Sequence, residues 1–449
     1  MSVTTNAAPP TTLLLRPRDP IILRDARPFS TDPGARAFTL DWPLPSTIAG
    51  ALRTHIGTAS GVDWTNPAAR ARALGIAIRG AFLVDRVQDG DPWTPYFPAP
   101  ADAVVYRPED EGGKDGEDGE DGEDGKDEEP RVMRLWPDES LADDEAAGCD
   151  MPTVNDLKLL PMTVERDEKP EPGYHFWSLK DTIAWLIGGD GLPTRHRTHI
   201  EQELRVHVAV SGDTLTSVEG RLFATTGLAF SPASRPRWKE HPESAILCGV
   251  GLPAGSRIEA WTPQPAFLPL GGERRQARLT GADQIDLDPW TIPPELVQAL
   301  EGETRLRLQL VTPAIFRTGW CPGWLTQRHR DRNPAQINGL GLKLRAAAVG
   351  RRVPISGWDL TNGCEKPVRY AAPAGSVYFF DVAEPLTAER ITKLWLAPLS
   401  DGVYNREDGF GLVVPGVWNT SGARASLSTL TPSTKGGRTW PDACSTSGR

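Results

Sequence analysis

Residues Leu40 to Gly57, LDWPLPSTIAGALRTHIG, decide how the rest of the chain is read. Pro43 and Pro45 hold the approach extended, because proline disfavours the helical region for the residue before it. Ser46 or Thr47 then serves as the expected N-cap, its hydroxyl accepting a free backbone N–H of the first turn. Ile48, Leu52 and Ile56 recur at i, i+4 and i+8, a stripe that must pack against another element. Gly57 is the expected left-handed end of the helix. Gly50 costs about 1 kcal/mol relative to Ala inside a helix, which points to close approach by a strand or a ligand. The exposed N–H groups of such a helix start suit an anion such as a phosphate. By itself the stretch is also an ordinary capped helix on a sheet.

Upstream, Leu13–Leu15 and Ile21–Leu23 read as a strand bent at Pro17 and Pro20, followed by a polar loop carrying Arg24, Asp25, Arg27 and Arg36. Strand, loop and helix open a βαβ unit. Downstream, 67–74 suits a short helix and Ile76–Val87 a strand. Ser178–Leu186 reads as a helix, and Leu204–Val210 and Gly220–Phe230 as alternating strands joined by a turn at 212–214. A second half is expected from near residue 236. It carries strands at Ile246–Val250, Arg257–Trp261, Arg305–Leu310, Ser376–Val382 and Phe410–Val414, and helices at Pro294–Leu300, Leu340–Ala348 and Leu386–Leu394. The class is α+β.

The formal net charge of −10 misleads. Glu109–Glu129 holds 13 acidic and 2 basic residues, a net of −11, and repeats Glu-Asp-Gly three times over Glu117–Gly125. With no apolar residue to bury, this stretch is expected to be a disordered, solvated loop. The remainder carries +1, and Glu301–Arg352 alone holds 10 basic and 3 acidic residues, which suits an acidic partner. No apolar run approaches the ~18 residues of a membrane span, and MSVTTNAAPPTT lacks the basic start and apolar core of a secretory signal. The five cysteines are scattered and never form C-x-x-C, as expected of reduced thiols in a cytoplasmic protein.

No P-loop, H-E-x-x-H or G-x-S-x-G motif occurs. His196, His199 and His207 cluster in a basic loop without the cysteines that a zinc site would draw on. His55 could act as a general base, although no group in the sequence is identified to orient it. The segment Asp408–Gly416, DGFGLVVPG, is no dinucleotide fingerprint, because a strand-like run follows it. Its glycines would let backbone approach a sugar-phosphate chain. The segment Arg351–Phe380 sets Lys366, Arg369, Trp358 and Tyr370 in one rigid loop, with cations for phosphates and rings for bases.

In this order the landmarks are Arg24-Asp25-Ala26-Arg27-Pro28-Phe29, Pro43-x-Pro45-Ser46-Thr47-x-x-Gly50-Ala51-Leu52-Arg53, Gly271-Gly272-Glu273-Arg274 and Thr312-Pro313-Ala314-Ile315-Phe316 with Gly319-Trp320. Ser356-Gly357-Trp358-Asp359, Ala372–Ser376 and Gly409–Gly416 complete the set. Through them the chain resembles the RAMP (repeat-associated mysterious protein) superfamily of CRISPR proteins, nearest to the crRNA-tag-binding subunits of type III-B (Cmr) effectors. The acidic insertion and the tail depart from the pattern. The resemblance implies two ferredoxin-like (RRM-like) RAMP domains packed together with long loop insertions, at 12–235 and 236–430, ahead of a loose tail at 431–449. It also implies a non-catalytic role without cofactor or metal: gripping the 5′ repeat tag of the crRNA beside a large polymerase-like subunit and backbone RAMP subunits. Arg24, Arg27, Arg53, Arg274, Lys366 and Arg369 would then hold phosphates, Ser46 and Thr47 would offer hydroxyls and helix-start amides, and Gly409 and Gly411 would admit the RNA backbone. Two alternatives stand beside it: a metal-independent endoribonuclease maturing guide RNA, with His55 or His199 as base, or a general single-stranded RNA-binding protein.

Deleting Glu109–Glu129 should leave the melting temperature followed by circular dichroism unchanged, since nothing in the segment can be buried. A large fall would assign it to the folded core.

Overall fold

The computed structural model describes residues 10–25, 36–108, 129–139, 159–160, 162–163, 168–230, 242–255, 257–282, 284–325, 336–337, 340–359 and 363–418. Arg27, the acidic run at 109–128 and the tail at 431–449 lie outside them.

One sheet begins with β1 (Thr11–Pro17), after which the chain crosses through α1 (Pro45–Ala59) and α2 (Pro67–Leu74) into β2 (Ala77–Arg86). It continues through β3 (Thr94–Pro98), β4 (Phe176–Ser178), α3 (Leu179–Leu186) and β5 (His196–Arg197). A long antiparallel hairpin, β6 (Gln202–Val210) and β7 (Ser217–Leu228), follows as part of a separate small sheet. The chain then returns through β8 (Glu243–Gly251), β9 (Ala266–Pro269) and β10 (Gln276–Gly281). The strand order is β5-β4-β3-β2-β8-β1-β10-β9. Because β8 is antiparallel to both β1 and β2, those two run parallel with α1 as their crossover, a split β-α-β unit.

The other large sheet starts after α4 (Pro294–Leu300) with β11 (Arg305–Leu310), followed by β12 (Leu340–Ala348). A small two-stranded ladder, β13 (Val353–Ile355) with β14 (Arg369–Ala371), precedes β15 (Val377–Val382), α5 (Ala388–Leu394), β16 (Ala397–Pro398), α6 (Val403–Glu407) and β17 (Leu412–Gly416). Here β11 lies antiparallel between β15 and β17, which are joined by α5, so the split unit recurs.

Residue alternation explains how the layers meet. On β1, Leu13 and Leu15 join Ile48, Leu52 and Ile56 of α1 in one core, while Leu14 joins the other with Phe82, Val84 and Leu247. That second core also takes Leu306, Leu308, Leu310 and Phe380, so the two large sheets share it. Each large aliphatic side chain buried this way contributes about 1.5–3 kcal/mol relative to exposure. A buried ion cluster crosses the same junction. Arg307 of β11 donates from Nε and Nη2 to Asp102, both at 2.6 Å, and Asp102 also accepts from Trp185 Nε1 at 3.1 Å. Arg134 stacks 3.4 Å over the Trp185 ring and donates to the carbonyls of Trp185 and Gly189. Burial and then the neighbouring Arg307 push its guanidinium down to about 9.

Three expectations need correction. The helix over 340–348 is strand β12: Leu340, Leu342 and Leu344 are buried at a spacing of two, and pairing with β15 overrides their helical propensity. Arg257–Trp261 is a turn, not a strand. The step between the large sheets falls between Gly281 and Arg305, not near 236, because β8 sits in the middle of the first sheet. The hairpin alternates as expected, but Leu204, Val206, Val208 and Val210 face outward.

Candidate nucleic-acid interface

Pro45, at the first helical position of α1, replaces the expected side-chain cap. The residue flanking the helix is Leu44, with no side-chain cap bond, and its carbonyl accepts from Thr47 N at 2.9 Å. Ser46 and Thr47 therefore lie half-buried in the first turn instead of capping it. Gly57 does not end the helix. It packs against Trp64, whose ring atoms stand within 2.6–2.8 Å of where a Cβ would be, and the left-handed residue is Gly61 at φ +71°. Gly50 is exposed, with nothing within 4 Å of a Cβ, so no strand approaches it.

Landmarks far apart in sequence meet at this helix start. Leu44, Ile315, Ile355, Ala371 and Phe410 form one small buried cluster. Thr312 ties the glycine-rich turn down: its hydroxyl donates to Gly409 O at 2.8 Å and accepts from Leu412 N at 2.9 Å. Gly411 N donates to Pro313 O at 2.8 Å, and Ile315 N to Ser400 Oγ at 3.0 Å.

The turn itself corrects an expectation. Gly409 (φ +95°) and Gly411 (φ +76°) are buried, and what approaches them is protein. A Cβ on Gly409 would stand 2.9 Å from Ile78 O, and one on Gly411 2.6 Å from Ser400 Oγ. Arg53 is likewise committed within the fold. It is 7 % exposed, donates from Nε and Nη2 to Ile76 O at 3.0 and 2.9 Å, and pairs through Nη1 with Asp408. Both were expected to face RNA; instead they lock α1, β2 and the glycine turn together.

The exposed cations lie elsewhere. Arg369 of β14 donates to Asn405 Oδ1 at 2.9 Å, and its neighbour Tyr370 carries the Arg352 guanidinium 4.0 Å above its ring. Lys366 is exposed, its N–H donating to Gly357 O. The side chain of Trp358 lies outside the described residues. Arg24 is exposed where the chain bridges to Thr39. Arg274 is exposed in a tight turn that begins at Gly271, with φ +53°. The structure thus seats the ladder that carries Arg369 on the cluster at the start of α1, whose first turn holds Ser46 and Thr47, and turns Arg53, Gly409 and Gly411 inward.

The histidines part company. His55 packs edge-on to Trp261 at 6.4 Å, and burial lowers its pKa. His207 meets Thr225 Oγ1 at 2.9 Å and stacks on Phe223. His196 stacks on Tyr174 with ring centroids 4.0 Å apart, and His199 lies against His175 at 3.7 Å. Burial and then the nearby His199 lower the His175 pKa, while Asp41 opposes them. Among the described residues no group of three His, Cys, Asp or Glu side chains is placed to hold a metal. Tyr174 and His175 escaped the sequence reading. Their signal was the run Tyr174-His175-Phe176-Trp177, four rings in succession after Pro172-Gly173.

Residues 13–418 match the family model described as CRISPR-associated protein (Cas_Cmr3), and the chain belongs to that family. No curated protein matches it. It is similar to a chain in the cryo-EM structure of the type III-B Cmr-beta bound to cognate target RNA and AMPPnP, at 17% identity over 82% of this chain and 86% of that one, with a TM-score of 0.40. A second structure of Cmr-beta bound to cognate target RNA gives 18% identity over the same shares, with a TM-score of 0.38. A chain of the Csm3-Csm4 subcomplex of the type III-A interference complex gives 9% identity over 83% and 94%, with a TM-score of 0.30. No helix among the described residues is long and apolar enough to cross a membrane.

Two glycine substitutions separate the open face from the packed one. Gly411→Ala should lower stability in urea by about 1–3 kcal/mol, through its positive φ and the contact with Ser400. Gly50→Ala should raise it by up to about 1 kcal/mol. Equal effects at the two sites would contradict the packing described here.

Proposed function

We propose that this chain is the non-catalytic crRNA-binding subunit of its type III-B effector, gripping the 5′ repeat tag of the guide. In this reading it bridges the large polymerase-like subunit to the backbone RAMP subunits. The two split β-α-β units are the cores of two ferredoxin-like domains, the second beginning after β10. The observation that carries the reading is the meeting of residues within or next to five distant landmarks, Leu44, Ile315, Ile355, Ala371 and Phe410. That cluster seats the β13–β14 ladder, with exposed Arg369 and Tyr370 and the Arg352 stack, beside the start of α1.

Single-stranded RNA is held by phosphate-binding cations together with rings that stack bases, and this surface offers both. Arg24, Lys366 and Arg369 are its exposed phosphate contacts, with Arg27 of the adjoining segment as a further one and Arg274 on the neighbouring turn. Ser46 and Thr47 add hydroxyls. Arg53 and the glycines act indirectly, by fixing the helix start on which the RNA would lie.

Fluorescence anisotropy with tag RNA across a salt series tests this. Arg369→Ala should weaken binding and reduce the log–log salt slope by about 0.7 for the one phosphate no longer neutralised, with melting unchanged because the side chain is exposed. The bound RNA should be recovered at full length. Parental affinity and slope in Arg369→Ala and Lys366→Ala alike would move the groove elsewhere, and cleavage abolished by His55→Ala would favour the endoribonuclease.

A further inference from the structure

A cleft of about 410 Å³ opens beside the cluster at the start of α1. Its walls are apolar and come from separate segments: Pro43 and Leu44 ahead of α1, Phe82 of β2, Val311 and Pro313 after β11. Its volume lies within the range of small-ligand sites, about 300–1,000 Å³. Trp42 lines it too, with Nε1 held by Ala81 O at 3.1 Å and the ring tilted against Phe176 at 5.5 Å, so the indole is fixed in place. Beside it stand two ring pairs, Tyr174 stacked on His196 and His175 tilted against His199. Tyr174, His175 and His199 line the cleft directly. Asp41 brings a carboxylate to the same opening, its Oδ1 accepting from Gln202 Nε2 at 2.9 Å. Val353 of β13 and Ala374 also line it, so the basic ladder carrying Arg369 and Tyr370, with Arg352 just ahead of it, borders the cleft.

We infer that this cleft takes one unstacked base of the bound single-stranded RNA, an assignment that rests on the RNA-binding function proposed above. Apolar walls and a fixed indole replace the neighbours that a base loses when it leaves its stack. The histidine and tyrosine rings at the mouth continue the stacking surface outward. The cations on the β13–β14 ladder lie where the flanking phosphates of an inserted nucleotide would remain in water. This division, ring inside and charge outside, separates an RNA base from an apolar side chain of a protein partner, which has no use for a cationic border. The histidine-bearing segment Arg195–His199, read from the sequence as a basic loop, supplies two of the four rings.

The experiment uses the full chain and tag RNAs carrying a single 4-thiouridine at each position in turn. After near-ultraviolet irradiation, cross-linked peptides are mapped by mass spectrometry, and affinity is followed by anisotropy in parallel. One position is expected to cross-link to the peptide containing Trp42 or to that containing Tyr174–Phe176. Ala374→Trp, which fills the mouth, should abolish that cross-link and weaken binding roughly tenfold, as expected for losing one base stack. The double variant His175→Ala, His199→Ala removes two exposed lining rings and leaves the buried apolar walls intact. It should reduce the same cross-link while keeping the parental melting curve, which guards against misfolding of the first variant. Full RNA affinity with cross-links confined to Lys366–Tyr370 would overturn the cleft assignment and leave the RNA-binding function standing. Full RNA affinity in Ala374→Trp with loss of assembly onto the other subunits would give the cleft to a protein side chain instead. Absence of RNA binding in the parent chain would remove both.

Discussion

The turn at Asp408–Gly411 is the constraint on which the rest depends. Two glycines at positive φ let it pass within van der Waals distance of the Ile78 and Gly80 carbonyls on one side and of Ser400 on the other. Arg53 closes the arrangement by joining Asp408 to Ile76 O. One buried guanidinium thereby connects the first helix, the strand that follows it and a turn more than 350 residues later. Phe410 then fills the small core that seats Leu44, Ile315, Ile355 and Ala371. A side chain on either glycine would separate these surfaces, and the start of α1 would lose its neighbours. In the RNA-binding function proposed above, the exposed cations depend on this inward packing for their positions.

A second brace lies deeper, where Arg307 meets Asp102. A buried ion pair adds little net stability compared with a well-packed apolar replacement, but removing one partner costs about 3–5 kcal/mol. Its role here is one of specificity. Only one register of β11 against the loop after β3 gives Asp102 both guanidinium bonds and the Trp185 indole. The exposed valines of the β6–β7 hairpin contrast with this: alternation builds the strands, yet the apolar side is left outward among the described residues.

Much of the frame was legible in the chain. Helix 67–74, the α1 stripe and the strands around 77–86 and 377–382 follow from local periodicity, and the pairing partners were beyond its reach. The glycines of 409–411 were expected to admit an RNA backbone, and spacing alone could not say that the groups packed against them are Ile78 and Ser400. Arg53 looked like a surface cation because a helix period places it beside exposed Thr54, while the depth of the Ile76 loop decides its burial. Residues 340–348 misled through composition: Leu, Lys, Arg and Ala favour helix, and the partner strand β15 settled the matter. The aromatic cleft was invisible because its rings come from residues 42, 96 and 174–199, which only the fold unites.

If this surface grips a guide RNA by its repeat-derived 5′ end, the RNA should stay with the protein through a gentle purification. Isolating the chain from its native cells under mild conditions and sequencing the bound RNA tests that most directly. The expected result is a population of RNAs that share one repeat-derived 5′ end and differ beyond it. RNAs without a common 5′ end, or a chain that carries no RNA in its native assembly, would contradict it.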